Sequence, residues 1–233
     1  MKKFLKVVLF LMLIVSSIAL LYIGNGYNMY KDAINNIPLE EKVEEIQDKE
    51  NYTKFSELPQ TYINAVISVE DKRFYKHNGI DIIATGRAAI NDIKTMSYVE
   101  GGSTITQQLA KNMYFTQEKK IERKIAEVFM AWKIEDNYSK EEIFELYVNS
   151  IYFGDGYYTV KEACRGYFNK ELDEITNGEC ILLAGIPNAP SIYAPTKNPD
   201  LAKQRQKQVM DKMIKNGYLI QEEANRIIKQ TEE

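Results

Sequence analysis

Two glutamates stand in unlike surroundings and could divide acid and base chemistry between them. Glu70 follows the apolar stretch of residues 62–69 near the end of a predicted helix, where desolvation raises the pKa of a carboxyl group. Glu127 comes soon after Arg123 and Lys124, whose charges favour an ionised carboxylate. Paired carboxylates in different environments are typical of enzymes that act on glycosidic bonds. Most helical glutamates are simply solvated, so neither residue alone indicates catalysis.

The sequence GGSTITQQLAKN, residues 101–112, lies between the two glutamates and predicts an anion site. Thr104 and Gln107 have the spacing of a capping box that begins a helix, and Ser103 precedes them. Backbone N–H groups at a helix start, together with hydroxyl groups, suit phosphate oxygens. The basic residues that follow are Lys111, Lys119, Lys120, Arg123 and Lys124. Such a run is usually a solvated face, but beside this helix start it favours a diphosphate ligand.

The remaining reactive side chains are few. His77 is the only histidine, and it either closes the turn before Gly79 or takes part in catalysis. With one histidine, nothing resembles a zinc site. Cys164 and Cys180 stand among small and apolar residues, which favours buried free thiols over a disulfide. The formal net charge of −3 does not point to nucleic acid as a partner.

Helical periodicity dominates the chain from about residue 55, and no convincing set of alternating strands is present. The sequence therefore predicts a mainly α fold. A second capping box begins at Ser139. In the helix after residue 120, one apolar face comprises Ile121, Ile125, Val128, Phe129 and Trp132. Glu127 lies roughly 140° around the helix from that face, on the same polar side as Arg123.

The N-terminus predicts a membrane anchor. Three lysines within residues 2–6 precede an apolar run over residues 7–23, at the short end for a transmembrane helix. The positive-inside rule places residues 1–24 as a cytoplasmic tip and anchor, with the rest outside. A cleaved signal peptide is the alternative. The charged sequence LEEKVEEIQDKE predicts an exposed helix within a juxtamembrane stalk, residues 25–54, and the domain proper occupies residues 55–233.

Five sequence stretches follow one another in order between about residues 55 and 217. They are EDKRFYKHNGID, GGSTITQQLAKN, ERKIAE, SKEEIFELYVNSIYFG and the stretch from ACRGYFNKEL to LLAGIPNAPSIYAP. Together they resemble the motifs of the peptidoglycan glycosyltransferases, the family-51, lysozyme-like enzymes that polymerise lipid II. The resemblance implies a two-lobed helical domain behind a transmembrane helix in the bacterial cell membrane. No transpeptidase domain follows in this sequence, so we expect a monofunctional transglycosylase.

The resemblance also implies roles for both glutamates. Glu70 matches the general base that removes a proton from the acceptor's sugar 4-hydroxyl. Glu127 matches a glutamate that helps to place the diphosphate, together with a divalent metal, Mg or Mn, held indirectly through the diphosphate. The implied partners are lipid II, the growing glycan on its polyprenyl diphosphate, the membrane and other cell-wall synthesis proteins. A mobile segment over residues 86–102 would close over lipid.

The resemblance further supplies a set of substrate-binding positions. These are Ser103, Thr104, Gln107, Gln108, Lys111, Lys119, Arg123 and Lys124. His77 and Asn149 are additional candidates for a structural or a site role. Lys119 stands where relatives often have arginine, which would replace a forked donor by a point charge. Asn169 departs from the commoner glycine, but neither departure removes a carboxylate.

Two other functions stay open at this point. A lysozyme-type hydrolase also uses two carboxylates on a helical fold, although a neutral glycan needs no diphosphate site. A non-catalytic scaffold that binds lipid II is disfavoured by the presence of both glutamates. For the substitution Arg123→Ala we expect weaker substrate binding and little unfolding.

Overall fold

The computed structural model describes residues 2–95, 101–116, 118 and 120–232. The predicted mainly α fold is confirmed, and within the described residues the only strand-like pairing is an isolated bridge between Gly154 and Tyr157. The helices are α1 (Lys2–Asn36), α2 (Leu39–Gln47), α3 (Gln60–Glu70), α4 (Ile82–Thr95), α5 (Ile105–Tyr114), α6 (Ile121–Glu135), α7 (Lys140–Val148), α8 (Val160–Phe168), α9 (Asn177–Gly185), α10 (Pro190–Tyr193), α11 (Pro199–Lys215) and α12 (Gln221–Glu232).

Reciprocal capping boxes fix the starts of several helices. The two predicted boxes are confirmed: Thr104 Oγ1 accepts from Gln107 N at 3.0 Å, and Ser139 Oγ accepts from Glu142 N at 3.3 Å. Thr159 and Thr176 begin α8 and α9 in the same way. Each cap satisfies backbone N–H groups that a helix start leaves unpaired and contributes about 1 kcal/mol.

One hydrophobic core holds the helices that carry the glutamates and their surroundings. Helix α3 packs against α9 and α11, whereas α5 packs against α6 and α7. Tyr62, Leu109, Phe144 and Tyr147 are fully buried between them. This packing brings the C-terminal end of α3 close to the beginning of α5 and to one side of α11.

The first helix is longer than the predicted anchor and contacts the rest of the protein. Its apolar part, residues 4–23, is exposed, but its second half lies on α6. A Cβ atom on Gly26 would come within 2.6 Å of Ile125 Cβ, and the ring of Tyr27 meets that of Phe129 at 5.2 Å. The middle of the apolar face predicted for α6, Ile125 and Phe129, therefore packs against α1, whereas Ile121 and Trp132 stay exposed.

The packing on both sides of α6 corrects the expected surroundings of Glu127. The sequence places this residue on a polar side of α6, yet its side chain is fully buried. Helix α6 lies between α1 and α5, so both of its sides are covered. Ala126, Met130 and Ala131 are buried on α6 along with the carboxylate.

The expectation of an exposed helix within residues 39–50 is wrong. Leu39, Val43 and Ile46 of α2 are buried in the core. Their spacing of four and three residues forms an apolar stripe on an otherwise charged helix. The high charge of this segment comes from the opposite, solvent-facing side.

Candidate active site

Glu70, the last residue of α3, lies at the edge of a pocket of about 480 Å³. The pocket is also lined by Asp71 and by Gly102, Ser103 and Thr104, which precede α5. Helices α4 and α11 complete its walls. The predicted helix start and the first predicted carboxylate therefore line one cavity.

The carboxylate of Glu70 has one engaged oxygen and one unengaged oxygen. Gln108 Nε2 donates to Oε2 at 2.7 Å. Oε1 is buried and has no hydrogen-bond partner among the described residues. Burial raises the pKa of Glu70, as its position predicted, while the Gln108 hydrogen bond and the charge of Arg205 oppose this rise. Oε1 is thus an available acceptor for a proton.

Gln108 itself is held by the core. Tyr147 is fully buried on α7, and its hydroxyl donates to Gln108 Oε1 at 3.4 Å. The amide of Gln108 consequently presents its N–H groups towards Glu70. The resemblance implied that Gln108 binds substrate, which stays a prediction, and in the structure its amide also binds the Glu70 carboxylate.

His77 lies beside Asp71, at the junction of α3 and α5. His77 Nε2–H donates to Asp71 Oδ2 at 2.8 Å, and the backbone N–H of Ile105 donates to the same oxygen at 3.1 Å. Both side chains are 3% exposed. The pair attaches the end of α3 to the first turn of α5, next to a turn in which Gly79 has φ +80°. The residues alone had not singled out Asp71, although it directly follows Glu70.

The second glutamate sits in a cluster of cations. Arg123 Nη1 donates to Glu127 Oε1, and Lys124 Nζ donates to Glu127 Oε2 at 2.7 Å. Lys124 Nζ also donates to Ser103 Oγ at 2.7 Å. Because Ser103 lines the Glu70 pocket, this contact joins the pocket to the cation cluster.

The cations of this cluster are close enough to affect one another. Burial, together with the charges of Arg123 and Lys111, lowers the pKa of Lys124 to about 8. Burial also lowers the pKa of Lys111, with Arg123 acting in the same direction and Glu70 opposing it. Lys111 is therefore within electrostatic reach of both glutamate sites. Such a concentration of positive charge suits a multiply charged anion.

Two of the predicted substrate-binding side chains, Thr104 and Gln107, make hydrogen bonds within the protein, and their contact with substrate stays a prediction. Thr104 Oγ1 donates to Gly79 O at 2.7 Å, and Gln107 Oε1 accepts from Thr104 N at 3.1 Å. Both side chains are buried. They determine where α5 begins and how its N–H groups face the pocket.

Part of the predicted site falls outside the described residues. Lys119 is one such residue, and residues 96–100 of the predicted mobile segment are others. The described part of that segment includes the end of α4, together with Gly101 and Gly102. Neighbouring Lys120 pairs with Glu118 at 2.6 Å.

Asn149 has a structural position at the end of α7. It is fully buried, and its Oδ1 accepts from Thr53 N at 3.0 Å. Its Nδ2 donates to Thr53 O and to Glu145 O, each at 2.8 Å. The side chain therefore ties the chain segment before α3 to α7.

Replacing Asn149 by alanine should lower the free energy of unfolding by about 2 kcal/mol or more, because it leaves buried backbone groups of Thr53 unpaired. Urea unfolding followed by circular dichroism measures the change. Asn225→Ala, at an exposed position of α12, is the control and should cost less than about 0.5 kcal/mol. Equal losses in the two variants would contradict a structural role for Asn149.

Residues of α11 were not predicted to belong to the site. Arg205, Gln208, Lys212 and Lys215 line the pocket beside Glu70. Their spacing of three, four and three residues was visible in the sequence, but it equally describes one face of a solvated helix. Only the packing of α11 against α3 brings them to Glu70.

The family profile described as Transglycosylase matches residues 39–214 of this chain. The chain belongs to the transglycosylase family. The match begins at the first residue of α2 and contains both glutamates, the helix start before α5 and most of α11. This transglycosylase therefore has its pocket and its cation cluster within the matched region.

Known relatives of the transglycosylase are penicillin-binding proteins. Penicillin-binding protein 1F of Bacillus subtilis (strain 168) is 47% identical over 169 residues, which is 72% of this chain and 24% of the relative. Penicillin-binding protein 1A of Neisseria gonorrhoeae is 44% identical over 173 residues, 74% of this chain and 22% of the relative. The chain thus spans about a quarter of the length of these relatives.

Family membership confirms the resemblance drawn from the five sequence motifs. It also confirms the class of protein: the transglycosylase is an enzyme of glycosyl transfer related to the peptidoglycan glycosyltransferases.

The free, buried state predicted for Cys164 and Cys180 is confirmed as well.

Proposed function

We propose that this transglycosylase polymerises lipid II into β-1,4-linked glycan strands and releases polyprenyl diphosphate. The observation that carries the proposal is the carboxylate of Glu70, with Oε1 buried and unengaged beside a pocket that is joined to a cluster of cations. A general base next to an anion site suits a reaction in which a hydroxyl group is deprotonated and a diphosphate leaves.

Glu70 acts as the general base in this proposal. Oε1 takes the proton from the sugar 4-hydroxyl of the acceptor as that oxygen attacks the anomeric carbon of the growing chain. The new C–O bond forms with inversion, and the electrons of the broken bond leave with the diphosphate. The raised pKa of Glu70 makes it a stronger base than an exposed glutamate. Gln108 keeps the carboxylate in place through its other oxygen.

The cation cluster stabilises the leaving group. Lys111, Arg123 and Lys124 neutralise the diphosphate, and Ser103 contributes a hydroxyl beside Lys124. A diphosphate so neutralised leaves without protonation, and no second acid is required. Glu127 is a positioning residue, because its two oxygens hold Arg123 and Lys124 rather than substrate.

The described residues do not fit a metal ion held by the protein. They contain no group of three or more His, Cys, Asp or Glu side chains arranged to bind one. Both oxygens of Glu127 are already engaged by cations. The resemblance implies a Mg or Mn ion that the diphosphate of the substrate carries, and this ion stays a prediction. The residue roles proposed above do not depend on it.

The N-terminal helix supports anchoring in a membrane. Among the described residues, one helix is long and apolar enough to span a bilayer, over residues 3–36, and its most apolar part is not buried in the protein. We propose a single-pass anchor in the bacterial cell membrane, with the N-terminus in the cytoplasm and the catalytic domain outside.

The organisation and partners follow from the same proposal. The division into an anchor (1–24), a juxtamembrane segment (25–54) and a catalytic domain (55–233) stays a prediction, with α2 packed onto the domain. Lipid II and the growing glycan are the proposed substrates. Association with other cell-wall synthesis proteins is also proposed.

Purified protein incubated with labelled lipid II and a divalent metal tests the proposed function. We expect long glycan polymer, separated by gel electrophoresis. Shortening of pre-formed glycan without polymer would instead support a lysozyme-type hydrolase. Tight binding of lipid II without turnover would support a scaffold. Either of these results would overturn the proposal.

The shifted pKa values of Glu70 and Lys124 predict a bell-shaped pH dependence of kcat/KM. Activity rises with pH as Glu70 loses its proton, at a pKa above the ordinary 4.5 because of burial. It falls as Lys124 of the free enzyme loses its proton at a pKa of about 8. Lys124→Arg keeps the charge, because arginine stays protonated, and should move the alkaline limb to higher pH. An unchanged alkaline limb in this variant would refute the assignment to Lys124.

A further inference from the structure

Gly26 is the one buried residue among residues 3–36 of helix α1. A Cβ atom at this position would come within 2.6 Å of Ile125 Cβ and within 2.9 Å of the backbone oxygen of Glu122, both on α6. Neither atom can rotate away, because one belongs to the backbone and the other is attached directly to it. Any side chain at residue 26 would therefore force α1 and α6 apart. Two residues earlier, a Cβ atom on Gly24 would meet no atom within 4 Å.

Aromatic rings extend this contact along both helices. The ring of Phe129, which shares a face of α6 with Ile125, lies 5.2 Å from that of Tyr27 and 6.0 Å from that of Tyr30. Ring pairs at such separations add to the stability that burial alone provides. Gly26, Tyr27 and Tyr30 of α1, packed on Ile125 and Phe129 of α6, are called the α1–α6 contact below.

The α1–α6 contact lies on the turn of α6 that carries the cations of the proposed diphosphate site. Arg123 and Lys124 come directly between the two residues of α6 that approach Gly26. Successive side chains point about 100° apart around a helix, so α1 holds this turn from one side while the cations face another. The position of this turn on α1 therefore determines where the cations lie.

A small movement of this turn would break its connection to the Glu70 pocket. Lys124 Nζ donates to Ser103 Oγ at 2.7 Å, and Ser103 lines the pocket. A hydrogen bond of this kind is lost when its length reaches about 3.6 Å. A Cβ atom needs about 3.6 Å to a neighbouring carbon, which is about 1 Å more than the 2.6 Å available at Gly26. Even alanine at residue 26 is therefore sufficient to disturb the connection.

The same contact lies close to the end of the apolar part of α1. That part ends at residue 23, so Gly26 lies about 4.5 Å further along the helix at 1.5 Å per residue. Helix α1 continues to Asn36. In the proposed anchoring, the cations beside this contact consequently lie at the membrane surface, at the level of the diphosphate of a lipid-linked substrate.

We propose that Gly26 is a positioning residue of the active site: it seats α6 against the anchor helix, so that Arg123 and Lys124 meet the substrate diphosphate at the membrane surface. The inference rests on the proposed function, in which these cations neutralise the leaving group. The anchor helix thus takes part in forming the diphosphate site, in addition to attaching the domain to the membrane. Gly24, where a Cβ atom would meet nothing, has no such role.

Matched alanine variants of the whole chain test this inference. Gly26→Ala and Gly24→Ala bring the same gain in helix propensity, but only the first places a Cβ atom against α6. With labelled lipid II in detergent micelles, kcat/KM for polymer formation should fall about tenfold in Gly26→Ala, because a misplacement of about 1 Å at a catalytic site is costly. Gly24→Ala should stay within about twofold of the wild type.

Amine labelling of Lys124 shows whether the loss arises at the cations. The wild-type labelling rate, followed over pH by peptide mass spectrometry, should have its midpoint at the pKa of Lys124, about 8. Arg123 and Glu127 accompany Lys124 on α6, whereas Lys111 faces it from α5. Loss of the α1–α6 contact leaves α6 held from one side only, so that water reaches Lys124 and the Lys111 charge acts on it less. In Gly26→Ala the midpoint should therefore rise by about one pH unit, towards the ordinary 10.5.

Two results would overturn the inference. One is equal kcat/KM values and equal labelling midpoints in the two alanine variants. The other is a loss of activity in Gly26→Ala with the wild-type labelling midpoint, because the substitution would then act away from the cations. If the wild type itself forms no polymer, the proposed function fails, while the labelling comparison still decides whether Gly26 positions Lys124.

An exchange variant separates a lost fit between the helices from general misfolding. Gly26→Ala, Ile125→Gly moves the Cβ atom from α6 to α1 and relieves the closest contact. It should recover most of the wild-type kcat/KM and the wild-type labelling midpoint, although a glycine within α6 lowers stability. An exchange variant as impaired as Gly26→Ala, at a similar melting temperature, would contradict the proposed seating of α6.

Discussion

Glu70→Gln should lower kcat/KM for polymer formation from lipid II about 10³-fold, within the range typical for loss of a general base. The amide has nearly the shape of the carboxylate, but it cannot accept a proton at neutral pH. It also retains an oxygen that can accept from Gln108 Nε2, so the local structure should persist. Single-turnover assays with labelled substrate measure the loss of the chemical step.

The same substitution should not destabilise the protein near neutral pH. Burial raises the pKa of Glu70 in the folded state, so the folded protein favours the protonated form. The stability that this group contributes is present below its unfolded pKa and is lost as pH rises through the folded pKa. At pH 8 the variant should therefore melt at the same temperature as the wild type or higher, and this advantage should disappear near pH 4.

Glu41→Gln is the matched control, because Glu41 is an exposed residue of α2. It should retain both wild-type activity and wild-type melting temperature. Polymer formation by Glu70→Gln at the wild-type rate would exclude Glu70 as the base. If Glu70→Gln melts well below the wild type at pH 8, burial of the charged Glu70 carboxylate does not destabilise the folded protein.

Local sequence signals account for the parts of the site that depend on neighbours along the chain. The capping boxes at Thr104 and Ser139 involve residues three positions apart, so their spacing was sufficient to predict them. Glu70 was recognised at the end of an apolar helix, and its raised pKa follows from the same position. Each of these features depends only on residues within the first or last turn of a single helix, so it can be predicted without knowing the tertiary structure.

Features that depend on which helices meet were not recoverable from periodicity. The apolar face of α6 containing Ile125 and Phe129 was identified, but its partner is α1 rather than the core. The opposite, polar side is also covered, by α5, so Glu127 is buried although the periodicity places it away from the apolar face. An amphipathic pattern shows that one face is buried and leaves open whether a second helix buries the other.

Charge-rich composition hid two further features. The helix α2 was predicted to be exposed because glutamates and a lysine surround its apolar stripe of Leu39, Val43 and Ile46 in the sequence, yet this stripe is buried. The basic residues of α11 resembled an ordinary solvated face, and they reach Glu70 only because α11 packs on α3. In both segments the tertiary contact, not the composition, decides which side is solvated.

Arg123→Met should both weaken substrate binding and destabilise the fold, by about 3 kcal/mol. The sequence alone indicated little unfolding on loss of Arg123, but the structure changes this expectation. Glu127 is fully buried, and Arg123 is one of its two cationic partners, with its own side chain only 14% exposed. Removing one member of a buried ion pair leaves a charge that is poorly compensated. Urea unfolding and the KM for lipid II measure the two effects.

A second substitution separates the structural part of this effect from the functional part. The double variant Arg123→Met, Glu127→Leu removes the buried charge together with its partner and should recover most of the lost stability. Lys124 keeps its hydrogen bond to Ser103, and its side chain is 47% exposed, so its ammonium group retains a polar partner without Glu127. Polymer formation should nevertheless remain strongly impaired, since Arg123 is absent from the diphosphate site and Lys124 is no longer held by Glu127.

Arg226→Met provides the control for geometry, because Arg226 pairs with Glu222 at the same four-residue helical separation but on an exposed surface. Its loss should cost less than about 1 kcal/mol, as for other exposed ion pairs. If Arg123→Met is no more destabilising than this control, burial does not govern the energy of the Glu127 pair. If the double variant regains wild-type polymerisation along with its stability, then Arg123 serves only to neutralise Glu127, and the diphosphate must be bound by other residues.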